Sequence, residues 1–558
     1  MADACVTPLR VCNGGRFNSL IYLLATLALL PATAKAQTGV DAGSLLRESQ
    51  QVPAVIPSLP AAAMKRAPVA DTGVKFVVRS FAITGSTRFD RTVWDAILKD
   101  FVGTELGFGG LQAVADRVSL HYRQAGLHAL AFLPEQRLEA GTVQIVVVEG
   151  RLGEVRLETP AGAKNLPGNL LSSMLARGQQ AGQIVNMDAL ERATLIANDI
   201  PGLKVSSVLS AGAEASATDI VIQAQALPVL VGSVSADNAD PLSTGQYKAT
   251  TLISINNAFG IGEQVLLSAQ ASDGKSYGQL AYSQPLAANG LRGGFNVSRL
   301  DYKLLDSFAA TGGRGYADTW GANFSYPLVR TQQSNVNGQL AYSQSHLVTD
   351  SDIPGSRTEK NSHSVTVGLS GNANDSFAGG GVSIAGINVA MGNVDTAGDF
   401  SKLQMNIARL QRLGDNSTLW FSANGQYAFD NLDSGEKFSL GGPTGVRAYP
   451  ALEAAGDQGI VVTAEYRLEF PNQLRGKVFY DWGSITVNHN NAVAAPLELN
   501  TYPLDGVGVG LDWNPKPQIS LHASLAWRTG DNPNARNGND SDGTKRLPQF
   551  WLSANFDF

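Results

Sequence analysis

The chain has 558 residues, 44% of them hydrophobic and 16% charged, with 59 glycines and a formal net charge of -6. A charged fraction that low is unusual for a soluble globular protein, and a mildly acidic chain without a basic run makes a poor nucleic-acid binder. Both cysteines, Cys5 and Cys12, fall within the first 36 residues, which excludes structural disulfides and thiolate chemistry from the remainder.

An apolar run over residues 20–30 follows Arg10 and Arg16 and precedes Ala34-Lys35-Ala36. That is the positive region, short apolar core and small-residue cleavage pattern of a secretory signal peptide, here residues 1–36. Its removal before Gln37 deletes Arg10, Arg16, Lys35 and Asp3 and takes the formal charge from -6 to -8. No later run approaches the roughly 18 apolar residues that a membrane-spanning helix needs. Residues 37–52 can form a short helix with Leu45 and Leu46 as its only strong apolar anchors. They read either as a disordered leader or as a detachable polar helix that sits elsewhere in the molecule. Pro53, Pro57, Pro60 and Pro68 make residues 53–73 a stiff, Ala-rich linker.

From residue 75 the pattern changes. Residues 75–84 are strand-like and end at Gly85, and a helix follows over 91–101. A second helix starts near Gly110, with Leu111, Val114, Ala115, Val118 and Tyr122 on one face and Gly126 to close it. Strands at 127–133 and 142–149 complete a β-α-α-β-β module over 74–150. The order repeats over 151–226, with a strand at 152–157, helices at 166–176 and 187–199, and strands at 203–209 and 219–225. Two copies of one small α+β module argue for an array that binds rather than catalyses. An extended chain can add to the free edges of such sheets; the plainer alternative is that the modules are spacers.

After Pro228 the helical pattern ends. Residues 227–558 contain sixteen segments of roughly 9–15 residues with alternating polarity, a length and an even number that suit a closed antiparallel transmembrane β-barrel. Connections are expected to be tight on one side, as at 412–415 and 514–517, and long on the other, at 304–315, 350–361, 431–458, 488–501 and 529–546. In the last segment Phe550, Leu552, Ala554, Phe556 and Phe558 share one face. A soluble β-sandwich array would alternate as well, but would not usually combine such an aromatic stripe with one-sided long loops. The lumen of a sixteen-stranded barrel is wide enough for water or an extended polypeptide unless something plugs it.

Two stretches read as the functional centre. Gly441, Gly442, Pro443, Gly445, Val446, Arg447, Ala448 and Tyr449 lie in a connection far longer than a hairpin needs, which marks a shaped loop. On a following strand Phe479, Asp481 and Gly483 share one face, with Tyr480 and Trp482 on the other. A carboxylate pointing into an enclosed space needs a cation, and Arg447 is the best candidate. No catalytic residue or metal site is expected: the six histidines have no ligand spacing, and no G-x-S-x-G or Walker motif is present. Gly506-Val507-Gly508-Val509-Gly510 lies in an alternating segment with no helix after it, so it reads as barrel wall rather than as a nucleotide loop.

The order of parts, with Val446-Arg447-Ala448-Tyr449 and Phe479-x-Asp481-x-Gly483, resembles the outer-membrane transporters of bacterial two-partner secretion, the haemolysin secretion/activation (TpsB) type. The resemblance implies two periplasmic POTRA domains (74–150 and 151–226) before a sixteen-stranded barrel in the outer membrane, with the loop tip inside the lumen and Arg447 paired to Asp481. The family's tetrad usually has glycine where this chain has Ala448, which would be costly if the backbone there needs φ > 0. The implied function is export of one large exoprotein, captured unfolded through its N-terminal secretion domain and passed through the barrel without nucleotide or cofactor. Outer-membrane lipids and the barrel assembly machinery are the other implied partners, with Phe556 and Phe558 as the assembly signal. An alternative is an assembly or insertion factor of the same superfamily.

Overall fold

Sixteen strands close on themselves in the computed structural model, which describes residues 40–51, 75–136, 141–158, 165–214, 216–353, 355–492, 497 and 499–558. The signal segment 1–36 and the linker 53–73 lie outside the described residues. The described residues fall into two units, 75–227 and 40–51 with 228–558.

In the first unit, the expected strand 75–84 is two strands, Phe76–Val77 and Ser80–Thr84. The first pairs with Glu105–Leu106 and the second runs parallel to Thr142–Glu149, so hydrogen bonding changes partner at Val78 and Arg79. Thr142–Glu149 also pairs antiparallel with Ala129–Phe132. Helices Arg91–Leu98 and Phe108–Gln124 cover this sheet, and the buried face of the longer one is Leu111, Val114, Ala115, Val118 and Tyr122. Gly126, at φ 71, ends it. The second module repeats the plan with sheet order Arg151–Glu158, Ala217–Ala226, Leu203–Ala211 and helices Gly168–Ala176 and Met187–Asn198.

The modules join tightly. Met187 N donates to Gly126 O at 2.7 Å and His128 N to Val185 O at 3.0 Å. Glu149, buried at the joint, accepts from Thr87 N at 2.8 Å, Arg88 N at 3.0 Å, Tyr122 Oη at 2.7 Å and Arg151 Nη2 at 3.1 Å. Burial alone would raise the Glu149 pKa; bonds from Thr87, Tyr122 and the 87–88 backbone outweigh it and hold the carboxyl below its ordinary value.

The barrel strands are β1 (Leu230–Asp237), β2 (Lys248–Asn256), β3 (Gln264–Ser272), β4 (Lys275–Pro285), β5 (Arg292–Lys303) and β6 (Arg314–Arg330). Next come β7 (Ser334–Ser351), β8 (Ser356–Asp375), β9 (Gly381–Val394), β10 (Gly398–Arg412) and β11 (Ser417–Ala428). The last are β12 (Gln458–Phe470), β13 (Leu474–Thr486), β14 (Thr501–Lys516), β15 (Ile519–Arg528) and β16 (Gln549–Asp557). Each strand pairs antiparallel with its neighbour, and β16 closes on β1. Period-2 alternation sends Phe550, Leu552 and Phe556 outward and buries Gln549 and Trp551 inward.

The long loop expected at 350–361 is not there. β7 and β8 continue through it, reaching 18 and 20 residues, because opposite charges face each other beyond the apolar band. Arg314 and Arg357 both stand across from Asp350. The turn expected at 514–517 also shifts: β14 runs to Lys516, with a register irregularity between Trp513 and Lys516 where Pro515 has no N–H to give.

Candidate functional site

The connection between β11 and β12 folds back as a hairpin whose neck is Phe438–Ser439 paired with Ala455–Gly456. Its tip is tightly wound. Val446 N donates to Leu440 O at 2.7 Å, and a Cβ on Gly445 would lie 2.0 Å from that same oxygen, so only glycine fits. Gly442 takes φ 111. A Cβ on Gly483 would press on Leu440 and Val446, so this glycine lets the loop approach the wall.

Arg447 and Asp481 meet in fork geometry. Arg447 Nε and Nη2 each donate to Asp481 at 2.8 Å, and Arg447 N adds a bond of 3.1 Å. Thr463 Oγ1 donates to the same carboxylate at 2.9 Å. The third guanidinium nitrogen, Nη1, reaches Glu465 Oε2 at 2.9 Å, and Arg467 donates to Glu465 Oε1 at 2.6 Å. The Phe479 ring lies 3.3 Å from Arg447 Cζ, and Trp551 Nε1 donates to Arg447 O at 2.8 Å. Asp481 is 1% exposed, so this pair has little solvent to compete with it.

Ala448 needs no left-handed backbone; it is absent from the positive-φ positions of the chain. Its methyl instead faces β14, where a Cβ on Gly506 would lie 2.5 Å away. Gly508 likewise makes room for the Phe479 ring. Gly506 and Gly508 thus shape the wall around the loop.

The second occupant of the lumen is helix α1, Ala42–Gln50, capped by Asp41, whose side chain accepts from Ser44 N at 2.9 Å. Leu45 and Leu46 pack among Tyr277, Leu300, Tyr302, Ala317 and Leu347, on the inward faces of β4 to β7. Glu48 meets Lys248 at 3.4 Å and also pairs with Lys275, and both lysines hold Asp240. Burial would raise the Glu48 pKa, but the two ammonium groups outweigh burial and lower it. The helix also touches the β11–β12 loop: Ser434 Oγ donates to Asp41 Oδ2 at 2.5 Å and Arg47 Nη1 to Ser434 O at 3.1 Å. Gly43 and Gly435 meet so closely that a Cβ on Gly43 would sit 3.0 Å from the Gly435 backbone.

A family model for the haemolysin secretion/activation protein ShlB/FhaC/HecB matches residues 216–513, more than half of the chain. The chain belongs to that family. A ShlB-type POTRA model matches residues 76–150. The heme/hemopexin transporter protein HuxB of Haemophilus influenzae (strain 86-028NP) is 27% identical over 480 residues, covering 82% of each chain. CdiB from Escherichia coli has the same fold, with TM-score 0.67, 20% identity, and coverage of 89% of this chain and 93% of CdiB. So does BamA from Haemophilus ducreyi lacking POTRA domains 1–3, with TM-score 0.56, 16% identity, and coverage of 87% and 100%. The chain is therefore an outer-membrane β-barrel with periplasmic POTRA structure, of a family whose membership supports secretion of a partner exoprotein.

Of the residues singled out in the sequence, 441–449 and Phe479, Asp481 and Gly483 converge on one inner wall. Phe556 and Phe558 lie apart from them, on the outer surface, each about half exposed. Sequence reasoning missed Glu465, Arg467 and Trp551. The first two had a signal: charges two residues apart on one inward face of a barrel strand need partners in the lumen. It also missed the wall lysines that hold the loop base, Lys402 on Glu436 at 2.6 Å and Lys360 on Asp433 at 2.5 Å.

Proposed function

We propose that this protein is the outer-membrane pore that exports one large partner exoprotein, with the Arg447-tipped loop and α1 as its resting closure. The observation that carries the reading is the double occupancy of the lumen by two elements that are not part of the barrel wall. One is a hairpin joined to the wall by ion pairs; the other is a short polar helix joined to the rest of the chain through the Pro-punctuated residues 53–73. In this reading Arg447, Ala448 and Tyr449 form the pore-loop tip and Phe479, Asp481 and Gly483 its dock. Phe556 and Phe558 are the residues the barrel assembly machinery takes up.

The POTRA modules capture the partner's N-terminal secretion domain while it is unfolded. Their sheets end in the edge strands Ser80–Thr84 and Ala129–Phe132, then Arg151–Glu158 and Leu203–Ala211, and β-augmentation on such an edge suits an extended chain. The drive is folding of the partner outside the cell; no step uses nucleotide. A photoreactive amino acid at Leu130 and, separately, at Gln426 in the lumen tests this. Both positions are expected to cross-link to the same exported polypeptide during secretion, and labelling of nascent barrel proteins instead would favour the assembly-factor reading.

A further inference from the structure

We infer that the loop between β15 and β16 is an extracellular clasp on the pore loop, and that Glu453 is the positioning residue it grips. Glu453 is 0% exposed, yet it lies on the returning arm of the hairpin, four residues beyond Tyr449. Its Oε1 accepts from Asn532 Nδ2 at 2.9 Å, and its Oε2 accepts from Ser541 N at 2.8 Å and Ser541 Oγ at 2.6 Å. All three donors belong to the β15–β16 loop. The main chain of Glu453 meanwhile holds the hairpin neck, its carbonyl accepting from Leu440 N at 3.2 Å and Gly441 N at 3.1 Å. A Cβ on Gly441 would lie 2.7 Å from Glu453 Cβ, so the neck is built around this residue.

The backbone bends to present the carboxylate. Leu452 and Ala454, on either side of Glu453, take φ 64 and φ 56, a left-handed conformation that side-chain-bearing residues adopt only when the surroundings enforce it. Arg528, at the end of β15, takes a second hold nearer the tip, braced by the same β15–β16 loop. Asn532 Nδ2 also donates to Asp540 Oδ1 at 2.9 Å, and Asp540 pairs with Arg528. Arg528 Nε donates to Ala448 O at 3.3 Å, and its guanidinium lies 4.4 Å over the Tyr449 ring. The amide of Asn532 thus links both grips, and the pore loop is held from its outer end independently of Asp481 on the wall.

The inference rests on the pore-loop reading above, and the experiment separates the two. The full chain is reconstituted in planar lipid bilayers as wild type, Asp481→Asn, Glu453→Gln, Asn532→Ala and the Glu453→Gln/Asn532→Ala pair, with heat-modifiable migration recorded for each. Losing bonds to a buried carboxylate is expected to raise the opening frequency of each single clasp variant roughly tenfold or more, with the barrel still folded. The pair is expected to open less often than the product of the two single effects, because the Asn532–Glu453 bond is lost in both. Unchanged opening in the clasp variants while Asp481→Asn opens overturns the clasp alone, as do effects that multiply in the pair. A channel that none of the variants opens overturns the pore reading and the clasp with it. Ser541→Ala, which removes one hydroxyl, replaces Glu453→Gln if that variant does not assemble.

Discussion

Replacing Asp481 with Asn separates a gate from a structural lock. In the closed lumen this carboxylate accepts two guanidinium bonds of 2.8 Å, one backbone N–H and one threonine hydroxyl. The amide of Asn keeps the shape but loses the charge and turns one acceptor into a donor that faces the guanidinium. Breaking a buried pair by changing one partner costs about 3–5 kcal/mol. Glu465 still holds Nη1 at 2.9 Å, so the lower end applies, about 3 kcal/mol, or roughly a hundredfold in the balance between docked and undocked loop. The wall itself should survive, because β13 keeps its ladders to β12 and β14 along its full length. The expected result is a normally assembled, heat-modifiable barrel whose open events in a planar bilayer rise roughly a hundredfold. A barrel that fails to assemble refutes the gate and leaves the pair as a lock; one that assembles and conducts like wild type refutes both.

Other outcomes follow from the same geometry. Deleting residues 37–51, or reversing Glu48 with Glu48→Lys against Lys248 and Lys275, should release α1 and raise steady conductance, while thermal denaturation of the barrel changes little. Gly506→Ala should destabilise the docked tip by about 1–3 kcal/mol through the close Ala448 contact. Ala448→Gly in the same chain should restore part of the loss, although Trp527 O also crowds that position; proteolysis of the loop reads both. Because Glu149 is held below its ordinary pKa, its stabilisation is fully present above about pH 4.3 and lost as pH falls through the lower folded value. Amide exchange at the 126–128 and 149–152 joint should therefore be flat from neutral pH down to that point and accelerate, relative to intrinsic exchange, below it. Glu149→Gln should remove the pH dependence and cost about 1–3 kcal/mol.

The strands were legible because alternation and turn chemistry are local signals. Where the structure departs from the expected boundaries, non-local pairing decided. Residues 75–84 split because their two halves find different partner strands, and 350–361 stayed extended because Asp350 has arginines on both neighbouring strands. The Arg447–Asp481 contact was legible from an unpaired inward carboxylate and an arginine in a shaped loop. Glu453 was not, since its partners come from a later loop with no pattern of its own. The seat of α1 was not either: Asp41 and Ser434 are 393 residues apart, and nothing in a short segment anchored by two leucines says which wall will bury it. Ala448 stood out as a departure from the tetrad, and its cause, the glycine opposite on β14, lies some sixty residues further along the chain.

The central claim is dedicated export of one partner. Comparing proteins released into the medium by cells with and without this chain, by mass spectrometry, tests it most directly. The account predicts that one large exoprotein vanishes from the medium while other outer-membrane barrels stay at normal levels; an unchanged medium with those barrels depleted together would contradict it.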